Sequence, residues 1–156
     1  IVDPSQSLCY CGAHGCWESL ASGTAIAEQA KKRLPAYPDT LVLQMSNQDP
    51  SQITSKIVAE AAMRNDPLAS EVIHRAARYL ALGLINIITL FVPQVIVLSG
   101  GVMNNPGLFM PVIEETIQQH NTMIPASQVK ILPAALGDQA GLYGAACAIL
   151  QKIKNG

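Results

Sequence analysis

Three cysteines fall within eight positions of this 156-residue chain, in Cys9-Tyr10-Cys11-Gly12-Ala13-His14-Gly15-Cys16. The spacing is C-x-C-x4-C, and its two glycines let a short loop fold back on itself. Three sulfurs from one loop form a compact, soft donor set, which suits a tetrahedral Zn²⁺. The alternative is three free or disulfide-linked thiols, although a disulfide within C-x-C would close a strained ring. A secreted disulfide framework would also spread its cysteines along the chain, so the clustering favours thiolate chemistry in a reducing, cytoplasmic setting. Nothing in the loop suggests an open coordination position, so the expected role of the metal is structural. A fourth donor is needed. His14 is the nearest histidine but lies inside the tight turn, and a residue upstream is the other candidate. Cys147, among alanines, is expected to be a small buried hydrophobe.

The rest of the composition narrows the function classes. A formal net charge of −1 and a pI near 6.3 leave no electrostatic footprint for nucleic acid. The longest apolar stretch, 79–92, is too short to span a bilayer and reads as a buried helix. No signal peptide is visible. Hydrophobic residues make up 49% against 13% charged. That excess predicts surface covered by another domain, a second copy in a homodimer, or both. Opening on Ile1-Val2-Asp3-Pro4, the chain is expected to be a piece of a longer protein.

The pattern predicts a helix over 17–34, stopped by Pro35, and a proline-rich loop over 35–51. A helix over 52–64 follows, capped by Ser51 or Asp49. Asp66-Pro67 is a helix-start signal for a long helix ending near Phe91, whose second half is apolar on nearly every side. Val95-Ile96-Val97 reads as an interior strand, 108–120 as an amphipathic helix, 128–133 as a second strand and 139–152 as a small-residue helix that must pack closely. The order is helix, helix, strand, helix, strand, helix, an α/β arrangement.

The run from Cys9 to Glu18 resembles the signature C-x-C-G-x-x-G-C-x-E of the ROK family (repressors, open reading frames and kinases). The resemblance continues through Ser19-Leu20-Ala21-Ser22-Gly23-Thr24-Ala25, Leu98-Ser99-Gly100-Gly101-Val102-Met103 and Leu136-Gly137-Asp138-Gln139-Ala140-Gly141. It implies the C-terminal domain of an actin-like ATPase, of the ribonuclease H-like superfamily: helix-rich α/β with a small sheet. On this reading residues 1–156 form one such domain, with the zinc loop at about 8–18 and the N-terminal domain absent. The resemblance also implies that Cys9, Cys11 and Cys16 bind zinc with a histidine from a preceding E-x-G-H motif, which this sequence does not contain.

From the residues alone, Glu18 is well explained as an exposed acid near a helix N-terminus. The resemblance makes it a sugar-contacting carboxylate, a chemistry that suits charge-assisted hydrogen bonds from adjacent hydroxyls. Gly100-Gly101, after a strand and before a helix, is by itself an ordinary tight turn; the resemblance places it against the adenosine of ATP. Asn104 and Asn105 are possible polar neighbours. The phosphate loop and catalytic aspartate come from the other half in that family, and neither is found here, so this chain alone is expected not to phosphorylate sugar. The implied function is an ATP- and Mg²⁺-dependent kinase of a hexose or N-acetylhexosamine, glucokinase-like. The alternatives are the effector domain of a sugar-responsive repressor of the same family and a ligand-free zinc-stabilised interaction module.

Overall fold

The computed structural model describes residues 1–6, 8–121, 124–125 and 128–154. The predicted first helix is two. α1 (Trp17–Ala21) and α2 (Gly23–Arg33) are separated by Ser22, whose backbone is extended and whose Oγ accepts from Ala25 N to start α2. A serine competing for its own backbone in this way is favoured at a helix start and interrupts a helix interior. Pro35 then turns the chain through a 3₁₀ turn, Leu34–Ala36.

The expected loop over 35–51 contains a helix the pattern had not shown, α3 (Leu41–Met45), with Val42 fully buried. Asp49 does cap, but it caps the 3₁₀ turn Pro50–Gln52. α4 (Ser55–Met63) starts three residues later than expected, on Thr54, whose Oγ1 accepts from Ile57 N. Asp66 and Pro67 open α5 (Pro67–Phe91) as predicted. The Asp66 carboxylate is buried and does more than cap. It accepts from Ala69 N at 2.8 Å, Leu41 N at 2.8 Å and Thr40 Oγ1 at 2.9 Å, so one side chain joins the starts of α3 and α5.

α5 is the spine of the molecule. Ala76, Ala77, Ala81, Leu84 and Ile88 lie along its buried side, and α1, α2, α4 and α6 (Pro106–His120) pack around it. Phe109, Ile113 and Ile117 of α6 close that core. The end of α5 departs from expectation: Leu90 and Phe91 are three-quarters exposed. Val92 stops the helix in a left-handed conformation, just before Pro93.

β1 (Val95–Leu98) and β2 (Lys130–Pro133) pair in parallel, with Val95 opposite Lys130 and Leu98 opposite Pro133, and α6 makes the crossover. β1 was expected in a sheet interior. Among the described residues it pairs only with β2, and Val95 and Val97 are exposed. The last helix, α7 (Ala140–Lys154), also corrects its expectation. Its small residues pack against little in the chain, its main neighbour is the 3₁₀ turn Gly137–Gln139, and its side chains over 141–153 are exposed. Cys147 is therefore exposed too. Small residues signal close packing but do not say whether the partner lies within the same chain. No described helix is long and apolar enough to cross a membrane.

Candidate metal centre and the adjoining grooves

The cysteine loop is a tight reversal pinned at both ends. Cys9 N donates to Ala13 O and Gly12 N to Cys9 O, while Leu8 and His14 form an antiparallel bridge. Gly12 and Gly15 both have positive φ. Gly15 has a second constraint, because a Cβ there would collide with the carbonyl of Asp3. Its own carbonyl accepts from Val2 N at 2.8 Å, so the 1–3 segment lies directly against the loop.

This reversal brings the Sγ atoms of Cys9, Cys11 and Cys16 within 4.8 Å of one another. Cys11 Sγ and Cys16 Sγ are 3.4 Å apart. Zinc–sulfur bonds of about 2.3 Å at tetrahedral angles put ligand sulfurs about 3.8 Å apart, so the trio fits such an ion with small adjustment. At this separation the thiols perturb one another's ionisation. The Cys16 thiol is pushed up to about 11, chiefly by its hydrogen bond with Cys11 and then by burial. Cys11 is lowered, first by a backbone hydrogen bond from Ala13 and then by Cys16. Crowded sulfurs cannot all ionise without a positive charge between them. His14 does not join the cluster. Its Nδ1 is 3.0 Å from Gln6 O, which ties the ring to the 1–6 segment. The described residues thus offer three ligands.

Cys16 is the residue before α1, so the loop leads directly into the helix whose first turn carries Glu18. α1 is held down by Trp17, which packs against α5 at Gly83. This contact anchors the exit of the cysteine loop to the core. Glu18 is exposed, and its Oε2 accepts from Tyr10 Oη at 3.1 Å. Both line a groove of about 350 Å³ with Leu8, Ser19, Ser22 and Thr24, bounded by Glu28, Gln29 and Lys32 of α2. Tyr10 had not been singled out in the sequence; its signal was an aromatic residue between two clustered cysteines.

A second groove of about 360 Å³ lies between α2, α4 and the turn after β1. Gly101, Asn104 and Asn105 line it together with Ser55, Lys56 and Glu60. Gly100 has φ +103, and a Cβ placed on either Gly100 or Gly101 would meet no atom within 4 Å. Gly101 therefore presents open backbone to this groove, with Gly100 beside it in the chain. Gly100 is glycine for its dihedral angle; Gly101, with no such demand, leaves space. His74 and His120 are both exposed and belong to neither groove nor cluster.

Comparison with known proteins follows the same outline. The sequence matches the model of the ROK family over residues 1–152. A glucokinase from Streptomyces coelicolor is 32% identical over 148 residues, covering 92% of this chain and 46% of the relative. The DNA-binding transcriptional repressor Mlc of Escherichia coli is 30% identical over 145 residues, covering 93% of this chain and 34% of the repressor. Among solved structures, a ROK family glucokinase from Streptomyces griseus, in complex with glucose and AMPPNP, aligns with a TM-score of 0.83 at 33% identity. That alignment covers 94% of this chain and 48% of the glucokinase. The chain thus spans less than half the length of each of these relatives. Its helix-rich arrangement with a small parallel sheet shares the actin-like ATPase fold of the glucokinase.

Proposed function

The chain belongs to the ROK family, and from that premise we propose that it is the C-terminal part of an ATP-dependent hexose kinase, glucokinase-like, to which it contributes a sugar-binding acid and a nucleotide-facing turn. The observation that carries this reading is the placement of Glu18, two residues past a three-sulfur cluster and inside a groove. An exposed carboxylate accepts strong, charge-assisted hydrogen bonds from neighbouring hydroxyls, the recognition a pyranose offers. Cys9, Cys11 and Cys16 would hold Zn²⁺ with a ligand from outside the described residues. When bound, the metal would act as a structural cross-link that fixes the loop and, through Cys16, the start of α1.

Gly100 and Gly101 would lie against the adenosine of ATP at the second groove. The glucokinase from S. griseus is in complex with glucose and AMPPNP, which supports a sugar and a nucleotide as the ligand pair. α2 contributes Glu28 and Gln29 to the first groove and Ile26 to the second, so the two candidate sites flank one helix. Phosphoryl transfer further needs a phosphate cradle, Mg²⁺ and a proton-accepting carboxylate. In this proposal those come from the remainder of the kinase, and residues 1–156 alone turn over no ATP. The open thiol cluster suits a reducing, cytoplasmic setting. The exposed apolar face suits docking to the rest of the protein and assembly as a homodimer, which light scattering of the purified protein would report.

A second reading is favoured by the match to Mlc: the sugar-responsive domain of a repressor, in which the cysteine loop and Glu18 would serve sugar binding without catalysis. One experiment separates the readings. The complete gene product is assayed for glucose-dependent ATP turnover and for glucose binding, with and without Glu18→Ala. Turnover that Glu18→Ala lowers by at least about 100-fold supports the kinase; loss of two charge-assisted hydrogen bonds at about 1.5–3 kcal/mol each sets that scale. Binding without turnover supports the repressor. Glucose affinity that Glu18→Ala leaves unchanged refutes the role of Glu18 in both.

A further inference from the structure

Tyr10 is 88% exposed, yet it is not a loose surface aromatic. Its backbone lies between Cys9 and Cys11, so both neighbours are tied into the sulfur cluster. The reversal at Gly12 turns its side chain back toward α1, and its hydroxyl donates to Glu18 Oε2 at 3.1 Å. Among the described residues no other donor reaches that carboxylate. Tyr10 and Glu18 thus bridge the two ends of the loop across the mouth of one groove.

We infer that Tyr10 is a positioning residue for the sugar, acting through Glu18; the inference rests on the sugar-binding role proposed above for that acid. A carboxylate on an exposed helix turn samples several rotamers, and a ligand that needs one of them must bear the cost of selecting it. The phenol removes that cost by holding Oε2, which leaves Oε1 free to accept from a sugar hydroxyl. A phenol suits the task because its O–H both donates and accepts, so it can keep Oε2 while taking a hydrogen bond from a second sugar hydroxyl. Its ring gives the exposed groove a flat apolar wall, matching the C–H face of a pyranose. Lysine could supply the hydrogen bond, but would neutralise the carboxylate and offer no such wall.

The test uses the complete gene product with Tyr10→Phe, which keeps the ring and deletes the hydroxyl. It is compared with Glu18→Asp, whose carboxylate keeps its charge but sits one methylene short of Tyr10, and with the double variant. One lost hydrogen bond corresponds to a change of about five- to tenfold. Tyr10→Phe is therefore expected to raise the calorimetric Kd and the KM for glucose by that factor, with a much smaller change in kcat and none in the KM for ATP. In the Glu18→Asp background Tyr10→Phe should add nothing. Zinc content by elemental analysis, equal in every variant, shows that the loop is intact; a variant that loses its zinc identifies Tyr10 as a structural residue and overturns the inference. Unchanged or tightened glucose affinity in Tyr10→Phe overturns it as well, as does a full additive loss in the double variant. If Glu18→Ala weakens glucose binding while Tyr10→Phe does not, only this inference fails. If Glu18→Ala has no effect, the sugar-binding reading fails first.

Discussion

Replacing Gly83 by alanine tests how the cysteine loop is carried on the rest of the molecule. Gly83 is buried midway along α5, and an ideal Cβ there would lie 2.5 Å from both Cδ2 and Nε1 of Trp17, with Cε2 closer still. Non-bonded carbons rest at about 3.5–4.0 Å, so the indole would have to retreat by at least about 1 Å. Overpacking of this kind costs about 1–3 kcal/mol. Against it stands the helix propensity of alanine, worth about 1 kcal/mol over glycine. The two effects oppose each other, and the clash should win because Trp17 sits on α1 and cannot move without it. Some relief comes from Trp17 Nε1, a buried donor with no partner among the described residues, which would gain water on moving outward. The expected net loss is up to about 2 kcal/mol, measured by urea denaturation at constant m value. Trp17 is the only tryptophan, so its fluorescence reports the same contact directly and should shift toward a wetter environment. Gly107→Ala on α6, where a Cβ meets nothing within 4 Å, serves as the control and should gain up to about 1 kcal/mol. Combining Gly83→Ala with Trp17→Leu should cost less than the sum of the single changes. A Gly83→Ala protein as stable as the parent, with unchanged fluorescence, would refute the argument.

Other perturbations test the remaining structure. Asp66→Ala removes a buried acceptor that serves three donors, and should cost about 2–4 kcal/mol in thermal or urea unfolding; Asp66→Asn, still able to cap α5, should cost less. Zinc affinity should rise with pH, because the ligands must lose their protons and Cys16 holds its own to about 11. Competition with a chromophoric chelator between pH 6 and 8 should show about a tenfold gain per pH unit for each proton released, and a flat profile would mean that the thiols are not the ligands.

The sequence carried the fold wherever one residue type has one local consequence. Asp66-Pro67 marked the start of α5 and Pro35 the end of the helix before it, because capping and the missing proline N–H act within a single turn. The break at Ser22 and the helix α3 were hidden. The first depends on a serine hydroxyl competing for its own backbone, and the second on Thr40 reaching Asp66 across 26 positions. The sulfur cluster was legible because its three thiols come from one loop. Tyr10 was not, since a lone aromatic shows neither where its hydroxyl points nor that Glu18 will meet it. The burial of β1 and α7 was misjudged for the opposite reason. Apolar and small residues announce that a surface will be covered without naming what covers it.

Those exposed surfaces and the anchored loop occupy different regions of α5, and this division sets out how the protein is organised. In its first half α5 grips the 1–6 segment through Arg75 to Gln6 Oε1 and Tyr79 Oη to Asp3 Oδ2, and a turn later it receives Trp17 at Gly83. The cysteine loop lies between these holds, fastened to the spine on both flanks before any metal binds. Loss of a metal from the cluster should therefore loosen residues 8–16 locally while α1 stays docked, so Glu18 would lose precision before it lost its place. Beyond Gly83 the same helix runs out to Leu90 and Phe91, next to a two-stranded sheet with exposed valines and a final helix that packs on little. A two-stranded sheet is marginal in water. One end of the spine is therefore braced by the chain's own residues, while the other carries exposed apolar surface that this packing leaves uncovered.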